Sequence, residues 1–232
     1  MMKKAVCLIS GGLDSSVTAY TAKNEGYELF AITFNYKQKH RREIESAKRI
    51  AESVGVKKHI LFDIDLSVFG GSSLVDEKME IQKNNKLEDI GKKIPLTYVP
   101  ARNTVFLSIG LAYAEVVHAN TIFIGVTATD YSGYPDCRPE YIEAFQRLAN
   151  LATKKGVEGE KIEIKAPLLF MNKSEIIRRG VELGVPFEET WSCYMGGEKA
   201  CGRCDSCLLR LKGFKDAGLK DPLEYEYLPD WI

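Results

Sequence analysis

The 232-residue chain is 45% hydrophobic and 28% charged, enough apolar content for one globular domain of ordinary size or one domain with an appendix. Lys plus Arg and Asp plus Glu number 32 each, so the net charge is zero and no global basic field is available to attract nucleic acid. No apolar run approaches the ~20 residues of a membrane span, and the stretch after Lys3 and Lys4 is too short for a secretion signal; both predict a cytoplasmic protein without a membrane partner.

Short runs rich in Val, Ile and Phe alternate with longer segments of helical period, the pattern of βαβ units. In chain order the strands read KAVCLIS (4–10), ELFAITFNY (28–36), KHILFDID (58–65), NTIFIGV (120–126) and EKIEIKA (160–166). The first four are nearly continuous apolar runs, as expected of parallel strands covered on both faces, and the last alternates like an edge strand. Between them, four stripes at helical spacing predict core faces: Leu13, Val17 and Tyr20; Ile44, Ala47, Ala51 and Val54; Val105, Ile109, Ala112 and Val116; Ile142, Phe145, Ala149 and Ala152. Pro139 suits the first turn of its helix, and Asn172 with Glu175 forms the pattern of a capping box opening KSEIIRRGVEL. The expected fold is therefore α/β, a doubly wound and mainly parallel five-stranded sheet over residues 1–188, with a cysteine-bearing segment, 189–232, packed on it. Residues 67–95 are polar and break the rhythm; they read either as a lid or as a solvated insertion.

The turn SGGLDS after the first strand aims backbone N–H groups and a positive helix end at one point beyond the sheet, which suits an anion. Gly11 and Gly12 let a phosphate approach the backbone, and Ser10, Ser15 and Ser16 add hydroxyl donors. A carboxylate, Asp14, beside a phosphate makes sense when a divalent cation bridges them, so the turn points to Mg²⁺ with a nucleotide. Neither G-x-x-x-x-G-K-[ST] nor G-x-G-x-x-G is present. SGGLDS resembles instead the pyrophosphate loop (PP-loop) of the N-type ATP pyrophosphatases, against the plainer alternative of a capped strand-to-helix turn. That resemblance implies an adenine nucleotide α-hydrolase-like fold and an ATP-binding stretch of Leu8, Ile9, Ser10, Gly11, Gly12, Leu13, Asp14, Ser15, Ser16, Val17 and Thr18.

Four of six cysteines, Cys193, Cys201, Cys204 and Cys207, fall within fifteen residues and supply a complete tetrahedral thiolate shell. A closed site of this kind points to structural Zn²⁺; an iron-sulfur cluster is the rival, though the x3-Cys-Pro that follows C-x2-C-x2-C in ferredoxins is missing. Cys7 reads as a small core residue, and Cys137 as an inert thiol in preference to a reactive one.

Other polar groups cluster where strands end. NYKQKHRRE places Lys37, Lys39, His40, Arg41 and Arg42 after the second strand, where one or two could meet phosphate while Lys39 and Arg42 read as solvated. Arg102 and Asn103 open a helix, either as a phosphate clamp or as a surface arginine with an Asn cap. Lys173 opens another, facing phosphate or solvent. The loop 125–141 combines Asp130, Tyr131, Ser132, Tyr134, Asp136 and Arg138, acceptors and rings that suit a flat heterocycle with N–H donors.

Taken together, LISGGLDSS, YVPARNTVFLS, DYSGYPDCRPEYIEAF, ETWSCY and CGRCDSCLLRLKGFKDAG resemble the 7-cyano-7-deazaguanine synthase family of queuosine precursor synthesis, over most of the chain. One departure is Lys37, where that family usually has glycine after the tyrosine. The resemblance implies an ATP-dependent ligase that converts 7-carboxy-7-deazaguanine and ammonia to the nitrile through an acyl-adenylate and an amide, without nucleic acid and as a homodimer. It makes Ser10, Asp14, Ser15, Arg102 and Lys173 the catalytic set and residues 130–138 the readers of the deazapurine. A tRNA-thiolating PP-loop enzyme and a non-catalytic zinc-ribbon interaction protein are the competing readings.

Overall fold

The computed structural model describes residues 3–127 and 133–232. Its elements are β1 (Lys4–Leu8), α1 (Leu13–Asn24), β2 (Glu28–Asn35), α2 (Arg42–Val54), β3 (Lys58–Asp63), α3 (Arg102–Val116), β4 (Thr121–Phe123), α4 (Pro139–Leu151), α5 (Lys154–Val157), β5 (Glu163–Lys165), α6 (Lys173–Glu182) and α7 (Asp205–Asp216). Five parallel strands pair in the order β3-β2-β1-β4-β5. The chain runs outward from β1 to β3 and returns to the other side of β1 as β4. The β1/β4 boundary is thus the topological switch point, where a crevice opens beyond the carboxyl ends of the strands.

Alternation along β1 explains the two layers. Val6 and Leu8 face a core built with Leu107 and Leu111 of α3 and Ile142 and Phe145 of α4, whereas Ala5, Cys7 and Ile9 face Ala19 and Ala22 of α1 and Ala47, Ile50 and Ala51 of α2. Cys7 is a buried core residue, its thiol driven far above the usual range by burial. Pro139 stands in the first turn of α4, and Asn172 and Glu175 close a capping box on α6.

Three expectations about the elements fail. β3 is the second sheet edge, with Leu61 42% and Phe62 38% exposed, so its apolar run does not signify cover on both faces. On α3 the buried face is Asn103, Leu107, Gly110, Leu111 and Ala114, while Ala112 and Val116 are exposed. That helix is apolar on nearly every side, so its period offers several stripes. Close approach decides between them: a Cβ on Gly110 would stand 3.2 Å from Leu8 Cδ2, so α3 lays its glycine against β1. Ala152 is likewise exposed, just past the end of α4.

The cysteine segment has a small cluster of its own, Trp191, Ala200 and the four clustered cysteines, and is also packed on the main domain. Phe214 of α7 and Phe187 pack with Ile176 and Ile177 of α6 and with Leu13 and Val17 of α1. A buried ion pair fastens the end of the chain: Arg210 Nε and Nη2 donate to Asp221 at 2.7 and 3.0 Å, both side chains being 3% exposed. The remaining guanidinium protons reach Thr190 Oγ1 and the Phe187 carbonyl, and Tyr225 donates to Asp221. Arg210→Met should cost about 3–5 kcal/mol by leaving Asp221 charged and unpaired, and Arg210→Met with Asp221→Leu should recover part of it, as read by denaturant titration. Residues 67–95 are neither wholly solvated nor detached. Leu74 and Val75 join the main core, and the stretch bonds to the cysteine segment through Asn84 N–H to the Arg203 carbonyl and Asn85 to Asp205. No described helix is long and apolar enough to cross a membrane.

Candidate active site

At the switch point lies a cavity of about 230 Å³ whose floor is the turn between β1 and α1. Gly11 takes φ 84°, and a Cβ there would sit 2.3 Å from the Glu43 carbonyl oxygen and 2.5 Å from the Ala47 nitrogen, so α2 presses directly on the loop. Ser15 Oγ accepts from Ser10 N–H at 3.1 Å, lies 3.0 Å from Ser10 Oγ and donates to the Gly12 carbonyl. Gly12 caps α1 without a side-chain hydrogen bond, leaving the first amides of the helix to an anion.

Of the loop stretch, Leu8, Ile9, Ser10, Gly12, Leu13, Asp14 and Ser15 line the cavity. Ser16, Val17 and Thr18 do not: they are buried inside α1, where helical rotation turns them into the core, and Ser16 Oγ is bonded back to the Gly12 carbonyl. Lys173, at the first position of α6, donates to both Asp14 oxygens at 2.7 and 2.8 Å. Arg102, at the start of α3, lines the cavity with its guanidinium 5.7 Å from the Tyr36 ring centroid and 5.9 Å from that of Phe106. Burial works against its charge, but Tyr36, Tyr134, Cys137 and Asp136 outweigh that and hold its pKa above the usual value.

The expected heterocycle readers separate. Asp130, Tyr131 and Ser132 lie outside the described residues. Tyr134 lines the cavity, its hydroxyl 3.0 Å from Thr97 Oγ1. Asp136 does not: its carboxylate accepts the Asn103 N–H at 2.9 Å and so caps α3, the role expected of the Asn103 side chain, which instead donates to the Asp136 carbonyl and the Cys137 sulfur. Arg138 is exposed, its Nε bonded to the Pro135 carbonyl outside the cavity. Cys137 is buried in the cavity wall.

None of the five cations after β2 lines the cavity; Tyr36, Gln38 and Glu43 do. Lys37 holds φ 63°, the left-handed region in which a glycine carries no strain. Arg42 is not solvated: its guanidinium lies 4.1 Å from the Trp191 ring centroid and donates to the Gly197 carbonyl. Glu43, next after these basic residues, is not one of the expected site residues. Its burial, opposed by Arg102 and reinforced by Cys193, pushes the carboxyl up to about 7.

Above the cavity stands the cysteine segment. Cys193, Cys201, Cys204 and Cys207 are all buried, with ligand atoms within 4.8 Å of one another, a donor set that could hold a metal ion. The wall residues Trp191, Ser192 and Tyr194 flank the first of them, and Trp191 N–H donates to the Gly11 carbonyl at 2.8 Å. The metal candidate and the glycine loop are therefore mechanically joined.

A five-stranded parallel sheet with a glycine turn at its switch point defines an α/β protein of the doubly wound class, whose ligands bind in that crevice. Residues 4–218 match the family model described as "Queuosine biosynthesis protein QueC". Two curated relatives, each named 7-cyano-7-deazaguanine synthase, align over nearly the full length. The protein of Trichodesmium erythraeum (strain IMS101) is 58% identical over 95% of this chain and 99% of its own. That of Nostoc sp. (strain PCC 7120 / SAG 25.82 / UTEX 2576) is 54% identical over 97% and 98%. The chain belongs to the QueC family.

Proposed function

We propose that the chain is a 7-cyano-7-deazaguanine synthase, carrying out the step of queuosine precursor synthesis that turns a deazapurine carboxylate into a nitrile. The observation that carries this reading is the end-to-end identity with relatives of that name, joined to a PP-loop at the switch point. A carboxylate is a poor electrophile until one of its oxygens becomes part of a phosphate leaving group. The amides of α1 and the hydroxyls of Ser10 and Ser15 receive the pyrophosphate as it departs. Arg102 and Lys173 neutralise the remaining phosphate charge, Lys173 moving from Asp14 to phosphate. Ammonia then attacks the acyl-adenylate, giving the amide and AMP, and a second ATP adenylates the amide oxygen with release of pyrophosphate, so that this oxygen leaves as AMP and the amide nitrogen loses its protons to give the nitrile. No side chain acts as a covalent nucleophile.

Asp14 would hold Mg²⁺, an ion that supplies Lewis-acid stabilisation of developing phosphate charge when bound. The four thiols suit Zn²⁺, a soft-ligand tetrahedral set with no open position, in a structural role. Purified protein given ATP, Mg²⁺, ammonium and 7-carboxy-7-deazaguanine should form AMP and the nitrile, and should contain zinc without the brown absorbance of an iron-sulfur cluster. AMP formation that requires a tRNA and a sulfur donor would overturn the assignment in favour of a thiolating enzyme.

A further inference from the structure

Two opposite charges face the cavity without meeting. Glu43 enters it from the first turn of α2 and Arg102 from the first turn of α3. They lie within electrostatic reach of each other, and Tyr36 feels both, yet no N–O pair comes within 4.0 Å. Among the described residues the cavity wall has two carboxylates, and Asp14 is already paired with Lys173. Asp136, the acid expected to read a heterocycle, is occupied at the start of α3. Glu43 is left with no hydrogen bond or ion pair to the described residues. Glu43 is half-buried at the cavity wall, so its oxygens are open to a ligand and have no protein partner to give up.

One wall is flat and apolar, where Phe34 stacks on Phe106 at 3.9 Å and 3°, and Trp191 lines the cavity beside the loop, its backbone N–H bonded to the Gly11 carbonyl. A planar ligand that fits must offer adjacent N–H donors at one end and an anion at the other. Resting on the substrate proposed above, we propose that Glu43 reads the donor edge of the deazapurine. Its two oxygens accept parallel hydrogen bonds from the ring N–H and the exocyclic amino group, while Arg102 keeps to the phosphate of the acyl-adenylate formed at the other end. The carboxylate matches two coplanar donors in the geometry it forms with guanidinium groups. Glu43 is then a specificity-determining residue, rejecting rings that lack the amino group because its second oxygen would stay unpaired.

The test is ATP–pyrophosphate exchange, which requires adenylation but no ammonia, with 7-carboxy-7-deazaguanine and its analogue lacking the 2-amino group. Wild type should show a KM for the analogue roughly 10- to 100-fold higher. Glu43→Gln should raise the KM for 7-carboxy-7-deazaguanine by a similar factor, erase most of the preference between the two compounds and leave the KM for ATP unchanged. Thermal melting of the variant separates these effects from misfolding. Equal shifts for both compounds, no shift at all, or a change confined to the ammonium dependence of amide formation would each overturn the role of Glu43. Absence of exchange by wild type would instead refute the functional reading, and this assignment with it.

Discussion

Asp14→Ala should abolish pyrophosphate exchange, by about 10²–10³-fold or more, the range found when one preorganised electrostatic partner of a transition state is removed. Asp14 is the carboxylate in the first turn of α1 beside the open amides, and its only described partner is the Lys173 ammonium. Removing it deletes the group that would hold the nucleotide's cation and takes the Asp14 carboxylate away from Lys173. The pair is partly screened, with side chains 16% and 25% exposed. Its loss should therefore cost about 1–3 kcal/mol, between the surface and buried limits. The loop should survive, because the Ser10, Gly12 and Ser15 hydrogen bonds do not pass through Asp14. A melting temperature lowered by a few degrees with exchange lost is the expected result; exchange at the wild-type rate would remove the carboxylate from the mechanism. Asp14→Asn keeps a hydrogen-bonding partner for Lys173 and should be stable but equally inactive.

Cys204→Ser, or exhaustive chelation, should lower stability by several kcal/mol, a large share of the roughly 5–15 kcal/mol that holds such a domain together. Cys204 is fully buried at the position just before α7, and Cys207 lies in the first turn of that helix. A bound metal would tie this helix start to the loop that carries Cys193 and Cys201. Activity should fall together with zinc content, because Trp191, Ser192 and Tyr194 stand on the same loop and wall the cavity. Melting temperature, zinc content and AMP formation measured on the same samples decide it. A zinc-free variant with unaltered melting and turnover would sink the structural role.

The residues most legible in the sequence were those whose type is rare in their place. Paired glycines after an apolar strand mark a phosphate turn, and four thiols in fifteen residues mark a metal site. The less legible parts share one cause, a side chain whose partner lies far along the chain. Arg42 reads as solvated until Trp191, some 150 positions later, is placed under it. Asp136 reads as a ligand acceptor until the Asn103 amide takes it. Glu43 did leave a signal: it stands four before Ala47, on the apolar stripe that places Ala47 and Ala51 in the core. A carboxylate on such a stripe is buried by the helix it belongs to. Arg210, which shares α7 with buried Cys207, Leu211 and Phe214, is the same kind of exception.

The core that joins α1 to α7 also sets an order of events during synthesis. Leu13 and Val17 are made about two hundred residues before Phe214, yet their packing is completed by it. At roughly 5–20 residues per second the ribosome needs on the order of 10–40 s to deliver that partner. Through this interval the glycine turn is attached to a helix with one flank bare, and the nascent chain presents an apolar strip that a holdase chaperone would cover. Loss of the last turn of α7 would then be felt first as a failure of newly made protein to mature, before any effect on the turnover of molecules already folded.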